Sequence, residues 1–215
     1  MRLPNSPPER DASLVADASF WINLAAIERP DEFLQALSQP VIVPDVTLEE
    51  LKRVGRQSFL VVETLLSSGH ARLETLPPSA LGGYAALVAG PAAETLDDGE
   101  AATLALANAF GGVAVIDEKK AHRLSPIHFP ELRLIHSIEI LLSAAMEKAM
   151  GRIRVRDAVF AALSISRMRV PSDLTDSVVE VIGHDRAGLC HSLSNHRGTP
   201  NRINAGSPPT VEVGL

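Results

Sequence analysis

The sequence predicts an α/β fold built on a mainly parallel sheet, because short apolar runs alternate with segments of helical spacing along most of the 215 residues. The run at residues 113–116 is apolar throughout, as is typical of a strand buried on both faces of a sheet. Hydrophobic residues make up 46% of the chain and charged residues 21%, which excludes a disordered chain and a coiled coil. The length predicts one domain, with or without tails.

The elements are predicted in order from residue 14. Five short apolar runs indicate strands, the last at an edge of the sheet: residues 14–17, 41–43, 73–76, 113–116 and 132–135. Apolar residues at helical spacing indicate the helices: residues 18–27, 31–38, 47–67 in two parts, 101–109, 119–124, 137–149, 155–168 and 173–183. Asp31 and Thr47 stand where helix caps are expected, and the Ala- and Gly-rich residues 79–93 carry no decisive pattern.

Both ends of the chain differ from this pattern. Residues 1–13 hold three prolines and charges of both signs, and the last thirty residues are rich in His, Ser, Asn, Arg, Gly and Pro. We therefore predict a disordered arm at 1–13, a domain at 14–183 with a helical part at 137–183, and a disordered tail at 184–215. The arm lacks the apolar core of an export signal, and no window approaches the ~18–20 apolar residues that span a bilayer. We expect a cytoplasmic protein with no membrane partner. The single Cys190 excludes a disulfide framework and a thiolate zinc site within the chain.

The net charge of −6 argues against a protein that binds nucleic acid through bulk positive charge. Aromatic residues, at 4%, are also too scarce for a platform on which bases stack. The charge is unevenly distributed, however, because residues 1–118 carry a net charge of −10 and residues 119–183 one of +3. The basic part is therefore the better guide to a phosphate-bearing partner.

Four acidic residues fall at the ends of predicted elements, where parallel sheets bind ligands. Asp17 and Asp117 end two strands. Glu50 lies in the helix after the second strand, and Glu100 begins the helix of residues 101–109. Carboxylates that converge repel one another and stay ionised at neutral pH only when cations neutralise them, and hard oxygen ligands select Mg²⁺ or Mn²⁺. Such a site suits hydrolysis of a phosphodiester. Each acid alone has a simpler explanation, as a helix cap, an exposed helix residue or a turn residue, so the hypothesis depends on their joint order.

The sequence resembles the PIN-domain family in four stretches that occur in the family's order. Residues 14–19 (LVADAS) resemble its first-strand motif, and residues 41–51 (VIVPDVTLEEL) resemble the segment with its second acid. Residues 96–101 (LDDGEA) resemble the L-D-x-G-E-A motif of one PIN-like subfamily, and residues 115–123 (VIDEKKAHR) resemble the segment around its last acid. The spacings of 33, 50 and 17 residues between the four acids also fit, and the similarity covers about residues 13–183.

This resemblance implies a three-layer α/β/α fold and an Mg²⁺- or Mn²⁺-dependent ribonuclease, which in this family is frequently the toxin of a toxin–antitoxin pair. The metal ligands and catalytic acids implied by the motifs are four residues: Asp17, Glu50, Glu100 and Asp117. Ser19 matches the family's hydroxyl position, which bonds within the acidic cluster or to substrate. Two alternatives stay open, because Glu49 directly precedes Glu50 and many PIN proteins place the fourth acid one residue later, here at Glu118. The family also leads us to expect an antitoxin partner and a homodimer.

Basic residues after the last acid are candidates for binding an RNA substrate. Lys119, Lys120 and Arg123 lie within reach of a phosphate beside Asp117, and further arginines follow between residues 152 and 169. Clusters of basic residues often do no more than face solvent. In the functional alternative, they bind successive phosphates of a single-stranded RNA and recognise little of its sequence. Substituting Lys119, Lys120 and Arg123 together is expected to weaken RNA binding and to flatten its dependence on salt.

Two other classes of protein fit parts of the pattern. The first is a non-catalytic PIN scaffold that binds RNA or a partner protein, with the acidic N-terminal half docking a basic antitoxin peptide. The second is another enzyme with an Asp at the end of its first strand. A haloacid dehalogenase-like phosphatase needs a second Asp two residues later, where this chain has Ser19. A receiver domain pairs its strand-end Asp with acids placed earlier in the chain, and here no predicted strand precedes that of Asp17.

Overall fold

The computed structural model describes residues 12–37 and 40–196, in which one parallel sheet is covered by helices on both faces. The strands are β1 (Leu14–Ala16), β2 (Val41–Pro44), β3 (Ala71–Glu74), β4 (Val113–Val115) and β5 (Arg133–Ile135). Their order across the sheet is β3-β2-β1-β4-β5, and every neighbouring pair is parallel. The predicted edge position of the last strand is therefore confirmed.

The helices lie between the strands and continue after the last one. They are α1 (Ala18–Ala25), α2 (Pro30–Gln35), α3 (Asp45–Val54), α4 (Arg56–Ser67), α5 (Pro78–Val88), α6 (Asp98–Ala109), α7 (Lys119–His128), α8 (Ser137–Leu141), α9 (Ala144–Met150), α10 (Arg152–Ser164), α11 (Thr175–Ile182) and α12 (His184–Ala187), with 3₁₀ turns at Ser172–Leu174 and His191–His196. Over the described part of the chain, no helix is both long and apolar enough to cross a membrane.

Alternate residues of the central strands face two separate apolar cores, as the two-residue period of a strand requires. Val15, Ile42 and Ala114 point to the core that they share with α5, α6 and α7. Ala16 and Val43 point to the larger core on the opposite face, which α1, α4 and α8 to α11 complete. Strands buried on both faces explain why their sequences are continuous apolar runs. The three layers confirm the predicted α/β/α fold.

The register of β1 against β4 brings two acidic residues to the same edge of the sheet. Ala16 pairs with Val115, and the amide of Asp17 donates to the Val115 carbonyl oxygen at 3.1 Å. Because the strands are parallel, their carboxyl ends open on the same side. Asp17 and Asp117 therefore leave neighbouring strands at the edge where α/β proteins bind ligands.

Some element boundaries differ from the prediction because a cap or a buried contact overrides apolar spacing. Residues 79–93 contain most of α5, which begins with Pro78 in the first turn, where a missing N–H costs nothing. The predicted helix at 137–149 is two helices, since the Ser143 hydroxyl accepts the Met146 amide at 3.2 Å and starts α9. The two expected helix caps are wrong: α2 begins at Pro30, before Asp31, and α3 begins at Asp45, so that Thr47 lies inside it.

The predicted tail at 184–215 is wrong for residues 184–196. These residues form α12 and a 3₁₀ turn, and they bury Ala187, Cys190 and Leu193 in the larger core. Composition indicated disorder because the three buried residues are few and are dispersed among polar residues, glycine and the exposed Leu189. Residues 197–215, and residues 1–11 of the expected arm, lie outside the described part of the chain.

Candidate functional site

Asp17 is a buried carboxylate held by the start of α1. It is the N-cap of that helix, and its Oδ1 accepts the Phe20 amide at 3.1 Å. The Ser19 hydroxyl donates to the same oxygen at 2.6 Å, so Ser19 bonds within the acidic cluster. Only 4% of Asp17 is exposed. Its second oxygen, Oδ2, accepts no hydrogen bond from the described residues and is therefore available to a ligand.

Asp117 is equally buried and is held by residues of α1 and α8. Its Oδ2 accepts the Asn23 side-chain amide at 2.8 Å, and its Oδ1 accepts the backbone N–H of Ser137 at 2.8 Å. The imidazole Nδ1 of His136 lies 3.7 Å from the same Oδ1. These donors come from α1 and from the residues that open α8, so that the fourth acid is fixed from both sides of β4.

Glu50 of α3 lies against the first turn of α6, the turn that also holds Glu100. Asp97 caps α6 by accepting the Glu100 amide at 2.9 Å. A Cβ atom built on the intervening Gly99 would lie 2.3 Å from Oε2 of Glu50 and 3.7 Å from Oγ1 of Thr47. The Glu50 carboxylate thus occupies the space that a side chain at position 99 would take. The glycine of the L-D-x-G-E-A motif is explained by this close approach.

The pKa values show that the acids act on one another. Burial raises the pKa of Asp17 well above its usual range, and the charges of Asp117 and Glu100 raise it further, against hydrogen bonds from Ser19 and Phe20 that lower it. Burial, followed by the charges of Asp97 and Glu118, raises the pKa of Glu100 to about 7.

The same two causes act at the second acid. Burial, followed by the charge of Asp97, raises the pKa of Glu50. Acids that are held in partly dry surroundings near like charges favour any cation that neutralises them.

The donor chemistry fits a hard divalent ion, whereas the side chains are not gathered around one point. Carboxylate oxygens suit Mg²⁺ and Mn²⁺, and the buried Thr47 hydroxyl, which has no hydrogen-bond partner among the residues that the structure describes, is an additional oxygen donor beside Glu50. Within residues 12–37 and 40–196, however, no three His, Cys, Asp or Glu side chains are close enough together to hold a metal ion.

The structure separates the two pairs of adjacent acids. Glu49 is exposed and lies 2.5 Å from the ammonium of Lys52, on the outer face of α3, whereas Glu50 faces Gly99. Glu118 forms an ion pair with Arg169, whereas Asp117 is buried next to Asp17. This arrangement favours Glu50 and Asp117 as ligands, and both assignments stay predictions.

The three basic residues proposed to bind substrate do not share one environment. Lys120 donates to the Ala92 carbonyl oxygen at 2.6 Å, and Arg123 donates to that of Ala93 at 2.8 Å. Both cations therefore secure the connection between α5 and α6, while Lys119 is exposed. A role for this trio in binding RNA stays a prediction.

Sequence reasoning missed the residues that support the acids. Asn23 was the one that a pattern could have revealed, because it is a polar residue inside the apolar stretch of α1 and is only 5% exposed. His136, the N-cap of α8, stacks on His122 of α7 with ring centroids 3.9 Å apart. No sequence signal marks that pair.

The sheet order, the two helical layers and the acids at the carboxyl edge define an α/β/α protein with an acidic site at the ends of its central strands. A family model described as the PIN domain matches residues 13–184, and the chain belongs to the PIN-domain family. This match confirms the resemblance seen in the four motifs. PIN domains are generally nucleases and typically use divalent metal ions. A comparison with curated proteins finds no match for this sequence.

Proposed function

We propose that this PIN domain is an Mg²⁺- or Mn²⁺-dependent ribonuclease that hydrolyses phosphodiester bonds of RNA. The observation that carries the proposal is the burial of Asp17 and Asp117 on adjacent strand ends, where the charges of Asp117 and Glu100 both raise the pKa of Asp17. Burying like charges beside each other destabilises a fold unless a ligand compensates them. A divalent cation between these acids is such a ligand.

Each acid has a distinct role in this proposal. Asp17 and Asp117 are fixed by hydrogen bonds and provide the rigid half of the ligand set. Glu50 and Glu100 are less buried and would provide the other half of the ligand set. The bound Mg²⁺ or Mn²⁺ supplies a water of lowered pKa and neutralises charge on the phosphate oxygens. The expected antitoxin partner and homodimer stay predictions.

Cleavage of a labelled single-stranded RNA by the full chain tests this function. We expect cleavage with Mg²⁺ or Mn²⁺, none with a chelator, and a loss of about 10²-fold or more in Asp17→Asn, because that variant removes a charged ligand. Asp157→Asn is the matched control, since Asp157 is an exposed carboxylate paired with Arg186 on a different part of the surface. Cleavage by Asp17→Asn at the wild-type rate would show that another site or a contaminant is responsible.

One observation favours a second candidate, the non-catalytic scaffold. The described carboxylates are not gathered into a ready metal site, so a protein that binds RNA without cutting it is a coherent alternative. That alternative requires RNA binding that is insensitive to Mn²⁺ and no heat of Mn²⁺ binding in a calorimeter. Detection of stoichiometric Mn²⁺ binding that Asp17→Asn abolishes removes it.

A further inference from the structure

The connection between α10 and the 3₁₀ turn at Ser172–Leu174 is anchored beside the acidic site. Met168 is 2% exposed, and its amide donates to the Ala162 carbonyl oxygen at 3.0 Å. Arg167 has a φ of +57°, a left-handed conformation that costs free energy in a residue with a Cβ atom. Strained backbone that surrounding contacts hold in place is concentrated at functional sites in proteins. The chain is therefore fixed at residues 167 and 168, immediately before Arg169.

Two side-chain links join this connection to the acids. The Ser166 hydroxyl lies 2.8 Å from Oδ1 of Asn23, whose amide holds Asp117. Arg169 forms a charged hydrogen bond with Glu118, the residue next to Asp117. Since the charge of Glu118 also raises the pKa of Glu100, the guanidinium of Arg169 lies at the border of the acidic cluster.

The ion pair of Arg169 is suited to exchange. The Arg169 side chain is 60% exposed, and exposed ion pairs add little to the stability of a fold. A guanidinium bonds a phosphate through two parallel N–H groups as readily as it bonds a carboxylate. Its backbone is fixed by the residues before it, while its guanidinium lies in an exposed ion pair. Lys120 and Arg123 differ, because their charged ends bond to backbone carbonyl oxygens.

We propose that Arg169 is a phosphate-binding residue for the RNA substrate, with Glu118 holding its guanidinium in the absence of RNA. A phosphate of the bound strand, next to the bond that is cut, takes the place of the Glu118 carboxylate. The inference depends on the proposed function for the identity of the ligand as RNA. It assigns the substrate contact to Arg169, one of the later arginines that the sequence offered, rather than to the three basic residues of α7.

Binding of a fluorescent single-stranded RNA to the full chain, measured by anisotropy with a chelator so that no cleavage occurs, tests this assignment. We expect Arg169→Gln to weaken binding about tenfold, and to reduce the slope of log affinity against log salt by about 0.7, the value for one phosphate contact on a single strand. Arg169→Lys recovers part of the affinity. Glu118→Gln binds RNA at least as tightly as the wild type, because it removes the competing carboxylate.

Arg72→Gln is the matched control, since Arg72 is also an exposed arginine in an ion pair, with Glu74. It loses the same charge and should bind RNA with nearly wild-type affinity. Equal affinities and slopes for Arg169→Gln and Arg72→Gln overturn the assignment, and so does a Glu118→Gln variant that binds RNA as weakly as Arg169→Gln. In the last case the ion pair would be needed only for structure.

Cleavage separates this inference from the proposed function. If the wild type cuts RNA and Arg169→Gln cuts it with an unchanged KM, the phosphate assignment fails and the nuclease proposal stands. If the wild type does not cut RNA while Arg169→Gln still lowers affinity and slope, the nuclease proposal fails and the phosphate assignment stands.

Discussion

Replacing Gly99 by alanine should displace the carboxylate of Glu50 while leaving the fold intact. The added Cβ atom would lie 2.3 Å from Oε2 of Glu50, whereas contacts under 3.0 Å are essentially never seen for real Cβ atoms. The oxygen must therefore move by about 0.7 Å or more. It is the far end of a flexible side chain, so that rotation relieves the contact without moving α3 or α6.

The two consequences of this substitution have opposite signs. Gly99 has a helical backbone in the first turn of α6, where alanine adds about 0.5–1 kcal/mol of stability by restricting the unfolded chain. The displaced carboxylate, however, is a proposed metal ligand, and an error of about 1 Å in a catalytic group reduces rates by up to about 10²-fold. We expect an unfolding free energy that is unchanged or slightly higher, with Mn²⁺-dependent cleavage of RNA reduced ~10- to 100-fold.

Urea denaturation and the cleavage assay measure both effects on the same preparation. Gly82→Ala is the matched control, because Gly82 is also a helical glycine and its added Cβ atom meets nothing within 4 Å. That variant should gain similar stability and keep full activity. A Gly99→Ala protein with wild-type activity would refute the reasoning, as would a loss of activity that accompanies a loss of stability.

Three further predictions concern the support of the site, its charge and the C-terminal boundary. Asn23→Ala leaves Oδ2 of the buried Asp117 without its donor, and we expect about 1–3 kcal/mol lower stability by urea denaturation, together with weaker Mn²⁺ binding by calorimetry. In metal-free protein the unfolding free energy should fall as pH rises from about 4.5 to 7, because folded Glu100 (pKa about 7) keeps a proton that the unfolded chain has released. Glu100→Gln should flatten this fall in the unfolding free energy. An identical pH profile for the variant would contradict the assignment to Glu100. Leu193→Ala should lower the unfolding free energy by about 2–5 kcal/mol, since Leu193 is 1% exposed, whereas a change near zero would restore the boundary predicted at residue 183.

The apolar runs predicted the sheet well because each strand is buried on both faces. The order of the strands could not be predicted from these runs, yet it decides which acids meet: β1 and β4 are neighbours in the sheet although about a hundred residues separate Asp17 from Asp117. Helix α5 was missed because its Ala- and Gly-rich sequence has little side-chain pattern, and it is packing of residues such as Leu87 that stabilises it.

The motifs predicted the types of residue at the site, and the structure adds how they are held. Choosing between Glu49 and Glu50 required the contact of α3 with α6, because the two residues have the same chemistry and differ only in the direction they face. The role of Asn23 depends on a bond to a residue 94 positions away, which no local pattern encodes. Lys120 and Arg123 looked available in the sequence because the carbonyl groups that they bond lie on a distant connection.

Titration of the metal-free protein with Mn²⁺ in a calorimeter, comparing Glu50→Gln with Glu49→Gln, tests the central claim most directly. The claim is that the acids at the carboxyl edge of the sheet form a divalent metal site. The account predicts that the wild type and Glu49→Gln bind Mn²⁺ with similar affinity, because Glu49 faces solvent beside Lys52, and that Glu50→Gln binds at least tenfold more weakly. Equal affinities for the two variants, or no Mn²⁺ binding by the wild type, would contradict it.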